Sequence, residues 1–363
     1  MNKIVTFGEV MVRMSPRENY RFEQVFPGEM DVTFGGAESS VAASISMLGG
    51  SARFVSALPQ HSLTDAFLRQ MRGFQVDVDS VLSREEGRFG VYYVETGATQ
   101  RPSRVIYDRE HSAVSICHGD AYDWNTIFAD AQWLHISGIT LAISEIAAQA
   151  ALLAAKKAQA AGVTVSCDLN FRKNLWRWRS GTDARSLARE IMPEFLNHVN
   201  VVIGNEEDAA DVLDIHAGGS DIRVGSLQVD RYPEVAAQIS NRFANVHSVA
   251  ITLRESISAT HNNWGAMLYG SQSGGAVFAP TKGKQYQPYE IRNIVDRVGG
   301  GDSFAAGLIY AICCGDFPEP QEQLNFAVAA SCLAHSVKGD FNYNSRPEVE
   351  ALMYGNASGR VQR

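Results

Sequence analysis

The stretch Asp296-Arg297-Val298-Gly299-Gly300-Gly301-Asp302-Ser303-Phe304-Ala305-Ala306-Gly307 leads into an apolar helix running through Ile312. Three glycines at a helix start let successive backbone N–H groups converge on one point without side-chain obstruction. The helix dipole adds about half a positive charge there. Gly299, Gly300 and Gly301 therefore read as an anion hole. Asp302 stands where the anion should go. Taken alone, a carboxylate in a first turn is an ordinary cap. Beside an anion hole in an α/β chain it can also accept a hydroxyl proton while the N–H groups stabilise a transferring phosphoryl group.

Working outward, the chain alternates short apolar strands with helical stretches. Strands are expected at Lys3–Phe7, Ala52–Ala57, Trp133–Ser137, Val163–Asp168, Val199–Gly204 and Val249–Leu253. Helices are expected at Ser39–Leu48, Thr64–Phe74, Ile143–Ala161 and Glu206–Leu213. This rhythm predicts an α/β fold: a Rossmann-like, mostly parallel sheet flanked by helices. Two stretches break it. Residues of about 12–34 and 88–115 are rich in aromatics and β-formers and carry no helical period, and Val91-Tyr92-Tyr93-Val94 with Arg104-Val105-Ile106-Tyr107 suggests a hairpin. Both are read as strands of a small β-sheet lid on a single domain spanning 1–363. The tail Gly355–Arg363 reads as loosely ordered.

Composition narrows the function. A net charge of -8 argues against nucleic acid as a partner, which normally asks for a basic face. No apolar run approaches the roughly 18 residues of a membrane span, and the first residues enter a strand without a signal-peptide pattern, so a cytoplasmic protein is expected. The five cysteines show no metal-ligand spacing. There is no Gly-x-x-x-x-Gly-Lys-Ser/Thr loop, no Gly-x-Gly-x-x-Gly after the first strand, no His-Glu-x-x-His and no Gly-x-Ser-x-Gly.

With these residues in hand, the 296–304 segment resembles the C-terminal signature of the ribokinase-like (PfkB-type) carbohydrate kinases. Phe34-Gly35-Gly36-Ala37-Glu38-Ser39-Ser40-Val41-Ala42 with Gly49 is similar to the N-terminal signature. Within the family the likeness is greatest to 2-keto-3-deoxygluconate kinases. It is carried by Gly90-Val91-Tyr92, Val105-Ile106-Tyr107-Asp108-Arg109 with Ser112-Ala113, and Asp168-Leu169-Asn170-Phe171-Arg172 with Leu175-Trp176. The resemblance implies ATP and Mg2+ as co-substrates, a small-molecule sugar acid as acceptor and a homo-oligomer. It makes Asp302 the base, and it gives Gly36, Ala37, Glu38, Ser40, Tyr92, Tyr107, Arg109, Arg172 and Asp340 to the sugar. It gives Asn205, Thr252, Arg254, Ser256 and Val328 to the nucleotide, and Asn205 and Asp208 to a metal through water. An Arg fork suits a sugar carboxylate independently of the likeness.

Departures from the pattern are concentrated on the donor side. Ser40 replaces the usual Asn, Val298 the common Thr and Gly300 the common Ala, and a monovalent cation beside this turn, found in some relatives, stays open. Val328 stands where relatives often place Asn. Thr252-Leu253-Arg254-Glu255-Ser256 lacks the glycine usual at the nucleotide loop. Rival readings are a kinase for fructose, ribose, a nucleoside or 2-keto-3-deoxygalactonate, and a catalytically silent sugar-acid sensor.

Overall fold

The computed structural model describes residues 2–205, 207–216 and 229–356. Glu206, the expected helix start, and 357–363 of the expected loose tail lie outside the described residues. In chain order the strands that position the site are β1 (Lys3–Phe7), β2 (Met11–Ser15), β3 (Asp31–Gly35), β4 (Ala52–Pro59), β5 (Val81–Arg84), β6 (Gly90–Glu95) and β7 (Arg104–Asp108). They continue with β8 (Ala131–Ser137), β9 (Thr164–Asp168), β10 (Val201–Asn205), β11 (Ser248–Ser258), β12 (His261–Gly270) and β13 (Gly275–Ala279).

The large sheet has the order β13-β12-β11-β10-β9-β8-β1-β4-β5. Pairing is parallel from β11 through to β5 and antiparallel for β11–β12 and β12–β13. Its strands are apolar on both faces because both are covered, as a parallel sheet requires. Alternate residues go to opposite cores. Val5, Phe7, Leu134, Ile136, Val165 and Val202 pack with the helices Glu145–Ala160, Ala184–Leu196 and Tyr232–Arg242. Ile4, Phe54, Trp133, Val201 and Ile203 pack with Ala37–Met47, Ser62–Gly73, Gly300–Cys314 and Pro320–Ala334. The sequence rhythm is thus borne out, with two local differences. The expected Ile143–Ala161 helix runs Glu145–Ala160, because Ser144 caps it by accepting from Ala147 N at 3.0 Å, and a separate short helix, Gly138–Ala142, precedes it. Strand β11 runs on to Ser258 because β12 pairs with it out to Ser258–His261.

The second sheet has the order β3-β2-β6-β7 and forms the lid. Its limits differ from the expected ones at two points. Within 12–34 the chain makes a one-turn helix, Phe22–Val25, with Phe22 edge-on to Tyr93. Beyond β7, Ala113–Ile116 is a short 3-10 helix that leaves the lid, since Val114 packs into the main core.

Candidate active site

A cleft of about 450 Å3 lies between the lid and the carboxyl ends of β9, β10 and β11. That is where open α/β sheets bind ligands, because the loops there diverge. Its floor is the glycine turn. Gly299 takes φ 84°, and a Cβ on it would come within 2.5 Å of the Asp340 carbonyl oxygen, so only glycine fits the approach. The first intrahelical bond runs from Ser303 N to Gly299 O at 2.8 Å. It leaves the N–H groups of Gly300, Gly301 and Asp302 to the space in front of the helix. A Cβ on Gly301 would meet nothing within 4 Å, so this residue faces open cleft.

Asp302 lines the cleft beside this turn, its carboxyl held well above the usual carboxylate range. Burial is the main cause, followed by the negative charges of Asp168, Asp340 and Glu38, with Arg172 opposing them. Asp168, at the end of β9, is pushed up to about 7 by burial and by Asp208. Several carboxyls thus compete for ionisation in one space, and a cation or hydrogen-bond donor entering it favours the charged forms.

At the lid end, Tyr92 OH donates to Asp340 at 2.6 Å, and its ring stacks on Tyr107 with centroids 6.2 Å apart. Arg109 lies 5.4 Å from the Tyr107 ring centroid. Its Nε donates to Glu9 at 2.7 Å and its Nη2 bonds the same carboxylate oxygen. Arg172, after β9, lines the same cleft; among the described residues it makes no ion pair. Gly36 and Ala37 complete this end.

The opposite end is lined by Thr252 and Arg254 of β11, with Asn262, Trp264, Arg297 and His335. Asn205 and Asp208 lie along one side. Asn205 Oδ1 accepts from Glu207 N and Asp208 N at the start of the helix Asp208–Leu213. Asp208 accepts from Phe171 N at 3.0 Å and Asn205 N at 2.9 Å. Each oxygen takes one of these bonds, and a lone pair on each remains for a further donor or a cation.

Four expected contacts are not brought to the cleft. Val328 is fully buried in the core of helix Pro320–Ala334, against Phe304 and its neighbours. Ser256 lies on the exposed part of β11, beyond the cleft. Ser40 is fully buried inside helix Ala37–Met47, one turn too deep to reach the cleft. Glu38 turns inward and accepts from Ser137 N and Thr140 Oγ1, both at 2.8 Å, tying that helix to the end of β8. The cleft includes two residues that motif reading passed over, Glu9 and His335, and Asp296, which was quoted only as the start of the glycine segment; Arg13 stands behind the cleft, bonded to Asp340 and Asp296. Arg13 gave one signal, a lone charge inside the apolar strand Met11–Ser15.

The family model of the pfkB family carbohydrate kinases matches residues 1–345. The chain belongs to this family. It is similar to a 2-dehydro-3-deoxygalactonokinase from Haloferax volcanii, 31% identical over 98% of both chains. A solved 2-dehydro-3-deoxygluconokinase from Thermotoga maritima superposes with a TM-score of 0.87, is 41% identical and covers 98% of this chain and 100% of its own. A Xylella fastidiosa fructokinase with bound ATP shares the fold at TM-score 0.75 and 20% identity, over 98% of this chain and 99% of its own. The chain is accordingly a sugar kinase with a ribokinase-like fold. Among the described residues no helix is long and apolar enough to cross a membrane.

This pfkB-family kinase carries an electrostatic load in Glu38, whose carboxyl burial pushes up to about 7 from an ordinary 4.5. A carboxyl raised in the folded state contributes stability fully below its unfolded pKa. That stability is lost as pH rises through the folded value, here between about 4.5 and 7. The loss is on the order of 3 kcal/mol. Urea unfolding of wild type and Glu38→Gln at pH 5 and pH 8 reads it directly. The wild type is expected to lose stability relative to the variant at the higher pH; a pH-independent difference would show that Glu38 ionises normally.

Proposed function

We propose that the chain transfers the γ-phosphoryl group of ATP to the terminal primary hydroxyl of 2-keto-3-deoxygluconate (2-dehydro-3-deoxygluconate), giving 2-keto-3-deoxy-6-phosphogluconate. The observation that carries this reading is Arg172 and Arg109 lining the same cleft as Asp302 and the glycine turn. Two guanidinium groups at the acceptor end suit a sugar that bears a carboxylate. Arg109 is engaged with Glu9 through Nε and Nη2, so Nη1 is the part of its fork outside that pair. Tyr92, Tyr107 and Asp340 meet the hydroxyls.

In the reaction, Asp302 accepts the hydroxyl proton as that oxygen attacks the γ-phosphorus, and ADP leaves from the opposite side. The N–H groups of Gly300, Gly301 and Asp302 hold the developing charge. Thr252, Arg254, Arg297 and His335 form the wall toward the nucleotide. Among the described residues no group of three or more His, Cys, Asp or Glu is placed to hold a metal. The residues present fit a magnesium ion carried mainly by phosphate oxygens and water, with Asn205 and Asp208 reached through water. When bound, it would neutralise charge on the phosphate oxygens.

A second reading is 2-keto-3-deoxygalactonate, which differs at C4. The similarity to the Haloferax volcanii enzyme favours it. A coupled ADP-release screen across both acids, fructose and ribose tests the proposal, which fails if a neutral sugar is used better than either acid.

Closure of the lid over the sugar is a further expectation. Residues Arg104–Asp108 of β7 are all exposed, and a bound sugar would rest against Tyr107 and Arg109. Amide exchange over Val105–Arg109 should slow at saturating sugar acid. Unchanged exchange throughout that segment would rule the lid out as a moving part.

A further inference from the structure

The geometry points to Arg13 as the residue that sets the sugar end of the cleft in register with the phosphoryl end. Arg13 belongs to lid strand β2, opposite Tyr92 of β6, and its side chain is 2% exposed. Its Nη1 donates to Asp340 Oδ1 at 2.8 Å, and its Nη2 to Asp296 Oδ2 at 2.5 Å. One planar fork therefore spans two carboxylates from segments far apart in sequence.

Each carboxylate leads to a different half of the reaction. Asp340 also accepts from Tyr92 OH, on the acceptor side. Asp296 lies three residues before the turn. It accepts from Val298 N at 3.1 Å through Oδ1 and from Gly339 N at 3.1 Å through Oδ2. It thus pins both the entrance of the glycine turn and the backbone just before Asp340. Gly299 packs directly on the Asp340 backbone, so a small shift between the turn and the Asp340 segment alters their fit. Arg13 bonds Asp340 and Asp296 rather than the turn itself and stands behind the reacting atoms, which makes it a positioning residue. It also ties the lid to the main domain in the layer where the two substrates meet.

A lysine keeps the charge but presents a single ammonium, which cannot bridge two carboxylates with two directed bonds. Arg13→Lys is therefore expected to let the turn and Asp340 drift relative to each other. Misplacement of about an ångström costs up to ~100-fold in rate. A merely structural clamp would lower the melting temperature and leave turnover alone.

The test is steady-state kinetics of purified, folded Arg13→Lys on a sugar the wild type uses, together with ATP hydrolysis measured without sugar. The expected result is a kcat about 10- to 100-fold lower, the nucleotide KM within about threefold, and a larger share of ATP hydrolysed without transfer. A kcat within twofold of wild type overturns the inference, as does a loss confined to nucleotide KM. If Arg13→Lys does not fold, the double variant Arg13→Gln with Asp296→Asn decides, because it removes one positive and one negative charge and keeps the buried net charge. It should show the same kcat loss, and wild-type kcat in it is equally fatal. The inference needs a phosphorylated sugar and not its identity. A wild type that uses no sugar acid refutes the proposed substrate, whereas the variant-to-wild-type ratio on whichever sugar is used refutes only the role of Arg13.

Discussion

Asp302→Asn is expected to fold and to bind nucleotide, and to transfer phosphoryl to sugar about 10²- to 10⁴-fold more slowly. Asn occupies nearly the same volume and still presents an oxygen to the cleft, so the change removes basicity and little else. It also removes a group whose ionisation is opposed by burial and by Asp168, Asp340 and Glu38. The variant is therefore expected to be no less stable than wild type at neutral pH. Because the working form is the ionised one and its pKa is raised, wild-type kcat/KM should climb with pH through a value above the ordinary carboxylate range. The same rise should be missing from the residual activity of the variant. Retention of more than half of wild-type turnover would show that some other group takes the proton.

The main sheet and the turn were legible because each rests on a local rule. Apolar strands of five or so residues between helices can pair only in a covered, parallel sheet, as β1, β8, β9 and β10 do. Three glycines before an apolar helix leave few alternatives to an exposed N-terminus. Two kinds of feature were hidden. Direction along a helix face was one: Glu38, Ser40 and Val328 sit on elements that border the site, but their side chains point into the core. A motif match fixes a position in the chain and leaves the facing to packing. Long-range charge pairing was the other. Glu9 with Arg109, and Arg13 with Asp296 and Asp340, join residues separated by 100, 283 and 327 positions. Buried charges must be paired, so an unexplained Arg in an apolar strand implies a distant acid. Nothing in the one-dimensional pattern says which one.

That hidden pairing changes what the two substrate-side arginines should do when removed. Arg172 is exposed and, among the described residues, makes no ion pair, so Arg172→Ala is the cleaner probe. It should weaken use of the sugar acid by about 1.5–3 kcal/mol in transition-state binding, roughly 10- to 150-fold in kcat/KM. Activity on a neutral ketose should fall much less, since that substrate has no carboxylate to lose. Arg109→Ala should show the same bias toward loss on the acid, with an added cost in stability. It leaves Glu9, 3% exposed, without its cation, and an uncompensated buried charge is strongly destabilising. A melting curve separates the two effects, and the ratio of acid to neutral activity is insensitive to the second. Equal losses on both sugars in Arg172→Ala would mean that this arginine serves the phosphates, because a phosphate contact is common to every acceptor. The acid specificity would then have to come from Arg109 alone, through the Nη1 group that Glu9 does not take.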